Sequence, residues 1–426
     1  MRSRLTVIVL LVSCGLSRAT MQMAGSGATP ATAGLVQCLQ GAGASVLTQS
    51  SDFTTYNASR QVWNEKFQRN PAAIVYASSA DDVQRIVRCC RQFDVNVSPR
   101  SGGHSYEGYA VEDGAVLLDI SGINSLQMLD SSHAIIGAGI KLGPLYLGLW
   151  QNGSRAFPAG VCPAVGAGGH LTGGGVGLIS RKFGLASDQI VELEMVDANG
   201  NLITANAHTN SDLLFASQGG GGGSLGIITS FTIQTYPVPE MVTIFTTNWD
   251  LSDTMPTLGW WQEHAPAWPA ELGTDFQVFS SNAQFSGMYL GPSSDLMAIL
   301  NNTGYQDLPA KQSEDFQELP YIAALLHNAA SSQGLKPAED INSLALGPGT
   351  SVSGRSFFKA KSQLSNKPIP QAGMQLIQDA FANEGGQGYW QAHAQGGAIS
   401  ALPVRVDLKE LGRPAHPSFC PSSSRV

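Results

Sequence analysis

Charge is scarce in this chain. Asp, Glu, Lys and Arg together make up 13% of its 426 residues, about half the share usual in soluble proteins. No basic run occurs, and the formal net charge is −8, more negative still without Arg2, Arg4 and Arg18. That balance argues against a nucleic-acid partner. Zinc-ligand spacing is missing too: neither His-Glu-x-x-His nor Cys-x-x-Cys occurs, and the eight histidines are scattered, so no metal site is expected. No apolar run approaches the roughly 20 residues that cross a bilayer, and no repeat of solenoid length is visible. Apolar residues at 43% exclude wholesale disorder and allow a large core, in one large domain or two that share an interface. What the chain has in excess is glycine, 48 residues, well above the usual share of about 7%. Much of it must need backbone geometry or close backbone approach that a side chain would forbid.

The first 19 residues read as a secretory signal peptide. Arg2 and Arg4 form a basic start, Leu5 to Val12 a short apolar core, and Ser17 and Ala19 a small-residue cleavage site. Secretion permits disulfides. With Cys14 lost in the leader, Cys38, Cys89, Cys90, Cys162 and Cys420 remain. The number is odd, so at least one is left over or chemically committed. Sequons stand at Asn57, Asn152 and Asn301; a further one at Asn96 falls in an expected strand, where modification is disfavoured.

Residues 20–66 are read as a lead-in followed by a helix, with 20–36 flexible. From Pro71 the pattern is β-α-β. Ile74 to Ala77 is a strand, Val83, Ile86, Val87 and Cys90 mark an amphipathic helix over 80–93 behind Ser79, and Val95 and Val97 alternate into the next strand. A glycine-rich loop follows from Pro99 to Tyr109, then a strand from Val116 to Ile120. Two more glycine-rich stretches run from Gly160 to Gly177 and from Gly219 to Gly226, and the last leads into an alternating strand, Ile227 to Thr235. Pro237-Val-Pro239 reads as a boundary, giving a first domain over 67–239 and a second over 240–403. The second mixes short strands with helices such as 313–330. It holds four of the seven tryptophans within 249–268, with Trp390 further on.

Gly221-x-Gly223-x-x-Gly226 fits the dinucleotide fingerprint, and Gly222-x-Ser224-x-Gly226 fits a nucleophile elbow. Both motifs need a strand before and a helix after, whereas here a glycine run precedes and a strand follows. Three glycine-rich loops in one domain say more together. Such loops point backbone N–H groups into concave nests that bind phosphates, and three of them suit a long phosphate-bearing cofactor better than three unrelated turns. His104 stands out from the other histidines because glycines surround it, with Arg100 four residues before. Cys162, between Val161 and Pro163 in a glycine loop, has the setting of a reactive rather than a core cysteine.

Pro99-Arg-Ser-Gly-Gly-His104-Ser-Tyr-Glu-Gly together with Gly160-Val-Cys162-Pro-Ala-Val-Gly-Ala-Gly-Gly-His170-Leu-Thr-Gly-Gly-Gly-Val-Gly177 resembles the berberine bridge enzyme-like oxidoreductases of the vanillyl-alcohol-oxidase flavoprotein superfamily, over about residues 35–400. The resemblance implies an α+β fold: a PCMH-type FAD-binding domain of two α/β subdomains, plus an α+β substrate domain with an antiparallel sheet. It implies FAD tethered twice, through His104 to the flavin 8α-methyl carbon and through Cys162 to C6. Arg100, Ser101, Gly102, Gly103, Ser105 and Tyr106, with Gly166, Gly169, His170, Gly173, Gly174, Gly177 and Ile228, match the cofactor cradle. His170 matches a residue at the flavin N1–C2=O edge that stabilises the reduced anion by a charge-assisted hydrogen bond. Val165 matches the position that gates oxygen, and its small side chain favours an oxidase. Cys38 pairs with Cys89 in the family pattern, with Cys90 as the alternative.

The resemblance further implies a secreted, monomeric oxidase that passes a hydride from a CH–OH group to FAD and reduces O2 to hydrogen peroxide. Its partners are a small sugar or alcohol and O2, with no nucleic acid and no membrane. Sugars are favoured because a tryptophan-rich cap can stack on sugar rings. The catalytic base is not identified by the motifs; Tyr106, Tyr109 and Tyr289 are the candidates. The match departs at Leu214 to Gln218, where the family carries a Trp and an Arg, and it stops after Leu402. There residues 404–426 form a divergent tail without the family's closing segment, as in a truncated or frame-shifted chain. A chain lacking that segment is expected to fold poorly or act weakly, and the alternative function is a decayed, non-enzymatic flavin-domain remnant that acts as a secreted interaction protein.

Overall fold

The computed structural model describes residues 6–12, 30–332, 340–345, 355–383 and 388–401; the tail after Ala401 lies outside them. In the first sheet, strands Ala73–Tyr76, Val116–Asp119 and Val97–Arg100 lie parallel in that order, with Val46–Leu47 antiparallel on the outer edge. Parallel neighbours need a crossover, and helix Ala80–Gln92 supplies it. Ser79 caps that helix by accepting from the Asp82 backbone N–H, Asp81 and Asp82 occupy its first turn and Arg91 its last, the arrangement the helix dipole favours. Its expected apolar face, with Val83, Ile86, Val87 and Cys90, is buried.

Cys38 is bonded to Cys89. Cys90 is a buried thiol whose pKa is pushed up to about 12 by burial, so it stays inert. Cys38 lies on helix Pro30–Gly41, which begins inside the segment read as flexible. Leu35 and Leu39 give that helix a buried face, and the disulfide ties it to the crossover helix.

A second sheet, in the order Leu202–Asn206, Ile190–Val196, Ile227–Gln234, His133–Gly137, Leu126–Met128, is antiparallel throughout. One hydrophobic core runs beneath both sheets.

The third sheet has seven strands: Ser313–Pro320, Met241–Asp250, Asn282–Tyr289, Leu272–Val278, Gly388–Ala394, Thr6–Val12 and Lys359–Ser365. All neighbours in it are antiparallel. The segment read as one helix over 313–330 is a strand to Pro320 and a helix, Tyr321–Ser332, only after it; pairing along eight residues of Met241–Asp250 overrides the local pattern. Trp249, Trp260, Trp261, Trp268 and Trp390 are all buried behind this sheet with Phe276, Phe285 and Tyr305. They are core, and the expectation that they stack on sugar rings is overturned. Side chains alternate across a strand, so while Trp390, Ala392 and Ala394 enter that core, Tyr389, Gln391 and His393 face the other way, toward the glycine-loop domain.

Lys359–Ser365 and Gly388–Ala394 are parallel to each other, joined by helix Gln371–Asn383, with a one-strand gap between them. Thr6–Val12 fills the gap and pairs on both sides over seven residues. Its β-branched apolar run suits a central strand as well as it suits a leader. Cleavage after Ala19 and occupancy of this gap exclude each other. A chain begun at Thr20 leaves two seven-residue edges without partners. Limited proteolysis should therefore cut it within 359–365 several-fold faster than the chain begun at Met1; equal rates would show that the strand contributes no protection.

Candidate active site

The three glycine-rich loops converge. Gly102 and Gly166 meet backbone to backbone: a Cβ on Gly102 would lie 2.2 Å from the Gly166 nitrogen, and one on Gly166 equally close to the Gly102 nitrogen. Ala138 O clamps both loops, accepting from Ser101 Oγ at 2.8 Å and from the Gly168 N–H at 2.9 Å. The third loop closes on the other two through the Gly221 N–H, which donates to Thr172 O at 2.9 Å, and through Gly223 against Pro99. The departure at Leu214–Gln218 leaves this junction intact. Gly169, Gly174 and Gly221 have open space where a Cβ would stand. A side chain at any of them would project into that open space.

His104 sits at this crossing. Its ring stacks on Trp63 at 5.3 Å, and its Nε2 is buried with no hydrogen-bond partner. Burial, with a smaller contribution from the Lys141 charge, lowers its pKa to about 4, so the imidazole is neutral and holds a lone pair. Trp63 also packs on Tyr106 and on Phe358 of the seven-stranded side, while buried Asn64 donates to Tyr106 O and Phe358 O. A wedge from the lead-in segment thus joins the loop of His104 to the opposite sheet.

Cys162 is brought to the same place. The turn it starts is pinned on helix Leu142–Gln151: the N–H groups of Leu142 and Gly143 donate to Val165 O and Pro163 O, both at 2.9 Å. Gly160, just before it, is held from both sides, its N–H donating to His170 Nε2 at 2.9 Å and its carbonyl accepting from Tyr146 Oη at 2.5 Å. The Tyr106 hydroxyl, two residues from His104, is raised in pKa first by burial and then by the charge of Cys162. Tyr389, on the facing sheet, is raised by burial and by Tyr106, Cys162 and Asp275. Groups from both domains therefore meet at Cys162. Val165 is half-buried within this turn.

Several of the matched residues have partners of their own in the protein. The Arg100 guanidinium pairs with buried Asp119 at 2.7 Å and donates to Ser59 O and Gln61 O, so its side chain braces the strand that carries the loop. His170 accepts the Gly160 N–H through a neutral Nε2, and burial lowers its pKa to about 4; its ring orients the Cys162 loop. Ile228 is buried in the core beside Met195, so any cofactor contact there would run through its backbone. Ser105 Oγ accepts from the Tyr109 N–H and shapes the turn, and Tyr109 itself is 66% exposed. Tyr289 feels Asp295 and Glu271, away from Cys162. Of the three tyrosines, only Tyr106 is at the crossing. The Gly103 carbonyl accepts from the Trp63 backbone N–H, Gly173 closes the short helical turn by donating to Gly169 O, and Gly177 packs on Ala159 O.

Sequence reasoning missed the opposite wall. Asp275 contacts His393 Nδ1 across adjacent strands, and Gln391 Nε2 reaches Asp275 at 3.4 Å. Asn248 accepts from Asn282 and Gln284 on the same sheet. The signal available was the period-2 alternation of residues 388–394, which puts Tyr389, Gln391 and His393 on one face.

Residues 71–206 match the FAD binding domain family. Berberine bridge enzyme-like 4 of Arabidopsis thaliana is 33% identical over 370 residues, 83% of this chain and 68% of that protein. The chain belongs to the berberine bridge enzyme-like family of FAD-linked oxidoreductases. Among solved structures, BBE-like 1 of Physcomitrella patens is 30% identical with a TM-score of 0.73, over 85% of this chain and 83% of that one. Phl p 4, a grass pollen allergen with glucose dehydrogenase activity, is 26% identical with a TM-score of 0.74, over 87% and 76%. The residues fit FAD: three glycine loops converge with open space at Gly169, Gly174 and Gly221, and the neutral imidazole beside their crossing has a buried nitrogen without a partner. Among the described residues no group of three His, Cys, Asp or Glu side chains could hold a metal ion, and no helix is long and apolar enough to cross a membrane.

Proposed function

We propose that the protein is a secreted oxidase that holds FAD on two covalent tethers, His104 and Cys162, and oxidises a CH–OH group, of a carbohydrate in preference to an aromatic or allylic alcohol. The carrying observation is the convergence of the His104 loop and the Cys162 loop at one backbone crossing, Gly102 on Gly166. When bound, FAD accepts the hydride and passes both electrons to O2, giving hydrogen peroxide.

Each chain residue has a stated part. Neutral His104 keeps a lone pair for a bond to carbon. Tyr146 and His170 hold Gly160, and with it the approach of the Cys162 sulfur. Val165, small and half-buried, leaves room for O2. Tyr106 and Tyr389, their pKa values raised, stay protonated and donate hydrogen bonds. Amide and carboxylate groups on the facing sheet, from Asn248, Gln284, Gln391 and Asp275, suit a neutral polyhydroxylated substrate. The likeness to Phl p 4 supports the same preference. Secretion is supported by the Cys38–Cys89 bond and by sequons at exposed Asn152 and Asn301.

Purified protein should be yellow, the colour should remain with the polypeptide after acid precipitation, and a panel of sugars should release peroxide. Colour that washes away on denaturation would refute the tethers. Aromatic alcohols turned over while every sugar is refused would refute the substrate class.

A further inference from the structure

We infer that His393, held by Asp275, takes the hydroxyl proton from the substrate and that Asp275 is its positioning residue; this rests on the oxidase reading above and names the base for it. The two residues stand directly opposite on adjacent antiparallel strands, Leu272–Val278 and Gly388–Ala394, on the sheet face turned toward the glycine loops. The Asp275 carboxylate meets Nδ1 of the imidazole, and Gln391 Nε2 steadies its other oxygen at 3.4 Å. A carboxylate at Nδ1 keeps the proton there and leaves the lone pair on Nε2. Both residues line a small cleft whose other wall includes Val176 and Gly177 of the second glycine loop.

The other titratable groups on this face cannot take the part. Tyr106 and Tyr389 have hydroxyls raised in pKa by burial and so hold their protons. Asp275 is occupied by the imidazole. Arg181, the cation lining the cleft, donates to the carbonyls of Gln395 and Trp268 at 2.8 and 2.7 Å and carries no lone pair. Burial lowers the basicity of His393, the charge and hydrogen bond of Asp275 raise it, and the outcome lies above the ordinary value of 6.5. In the step, the substrate O–H proton moves to Nε2 and the O–H electron pair forms the carbonyl, while the C–H pair is released as a hydride that FAD, when bound, would accept. The imidazolium then gives its proton to solvent.

A base must be neutral to act, so the rate of flavin reduction should fall as pH drops through a midpoint above 6.5. His393→Gln should lower kcat by about 100-fold or more, with KM changed less than about threefold and covalent flavin content unaltered. Asp275→Asn removes the charge that favours the imidazolium, so its acid limb should move to lower pH by about one unit with kcat reduced about tenfold. NMR titration of the His393 imidazole, assigned by its loss in His393→Gln, should show the same shift without substrate. A His393→Gln enzyme within twofold of wild-type kcat, or an acid limb and imidazole titration unmoved in Asp275→Asn, would overturn the inference. A wild-type chain without covalent flavin would instead overturn the oxidase reading, and the NMR titration would still decide the Asp275–His393 coupling.

Discussion

Alanine at Gly102 should abolish flavin incorporation and lower thermal stability. The new methyl would lie 2.2 Å from the Gly166 nitrogen, 2.9 Å from its Cα and 3.1 Å from Ala164 O. These are backbone atoms, and no rotamer change relieves the contact. The His104 loop and the Cys162 loop must separate, at a cost of about 1–3 kcal/mol or more, and both tether positions move with them. Gly166→Ala meets the reciprocal clash with the Gly102 nitrogen and Ser101 Oγ and should behave alike. Gly169→Ala is the discriminating control. Nothing stands within 4 Å of its would-be Cβ, so the fold should melt close to wild type while the methyl enters the open space over the loops and bound flavin falls. Flavin-to-protein absorbance ratio and circular-dichroism melting measure both effects. Retained flavin in Gly102→Ala would show that the loop crossing does not set the cofactor site.

Arg100→Ala should be the most destabilising single charge change in the glycine-loop domain. The guanidinium pairs with Asp119 at 2.7 Å, with side-chain exposures of 10% and 8%, and ties strand Val97–Arg100 to the carbonyls of Ser59 and Gln61. Removing it strips a buried carboxylate of its charge partner and two part-buried carbonyls of a donor, a loss of about 3–5 kcal/mol. Arg100→Ala with Asp119→Ala together should recover much of that, because no charge is then stranded. Had Arg100 bound a phosphate of the cofactor, the single variant would lose flavin affinity with stability intact. Urea denaturation of the apo-protein separates the two roles.

The chain's glycine loops were legible because their function is a backbone function: Gly102, Gly166 and Gly177 are demanded by close approach, and glycine is the one residue that permits it. The crossover helix over 80–92 was equally plain, since Ser79 and the Val83–Ile86–Val87–Cys90 face declare start, period and burial locally. The Arg100–Asp119 pair was not legible, because Asp119 lies on a separate strand outside the loop motif; Gly160 stands in the same motif as His170, but the residue order does not record that its N–H reaches the ring. The tryptophans misled for a related reason. Density along the sequence says nothing about which side of a sheet they occupy. Asp275 and His393 are 118 residues apart, and only the strand register brings them face to face. The gap filled by Thr6–Val12 was invisible for the same reason: a leader-like run and a central strand have the same composition.

The central claim is that two side chains distant in sequence converge on one ring. Mass analysis of a proteolytic digest tests it directly. The account predicts a single flavin-bearing species joining the His104 peptide to the Cys162 peptide, which Cys162→Ala reduces to the His104 peptide alone with flavin still attached. Recovery of both peptides at their unmodified masses, from protein supplied with FAD during folding, would contradict it.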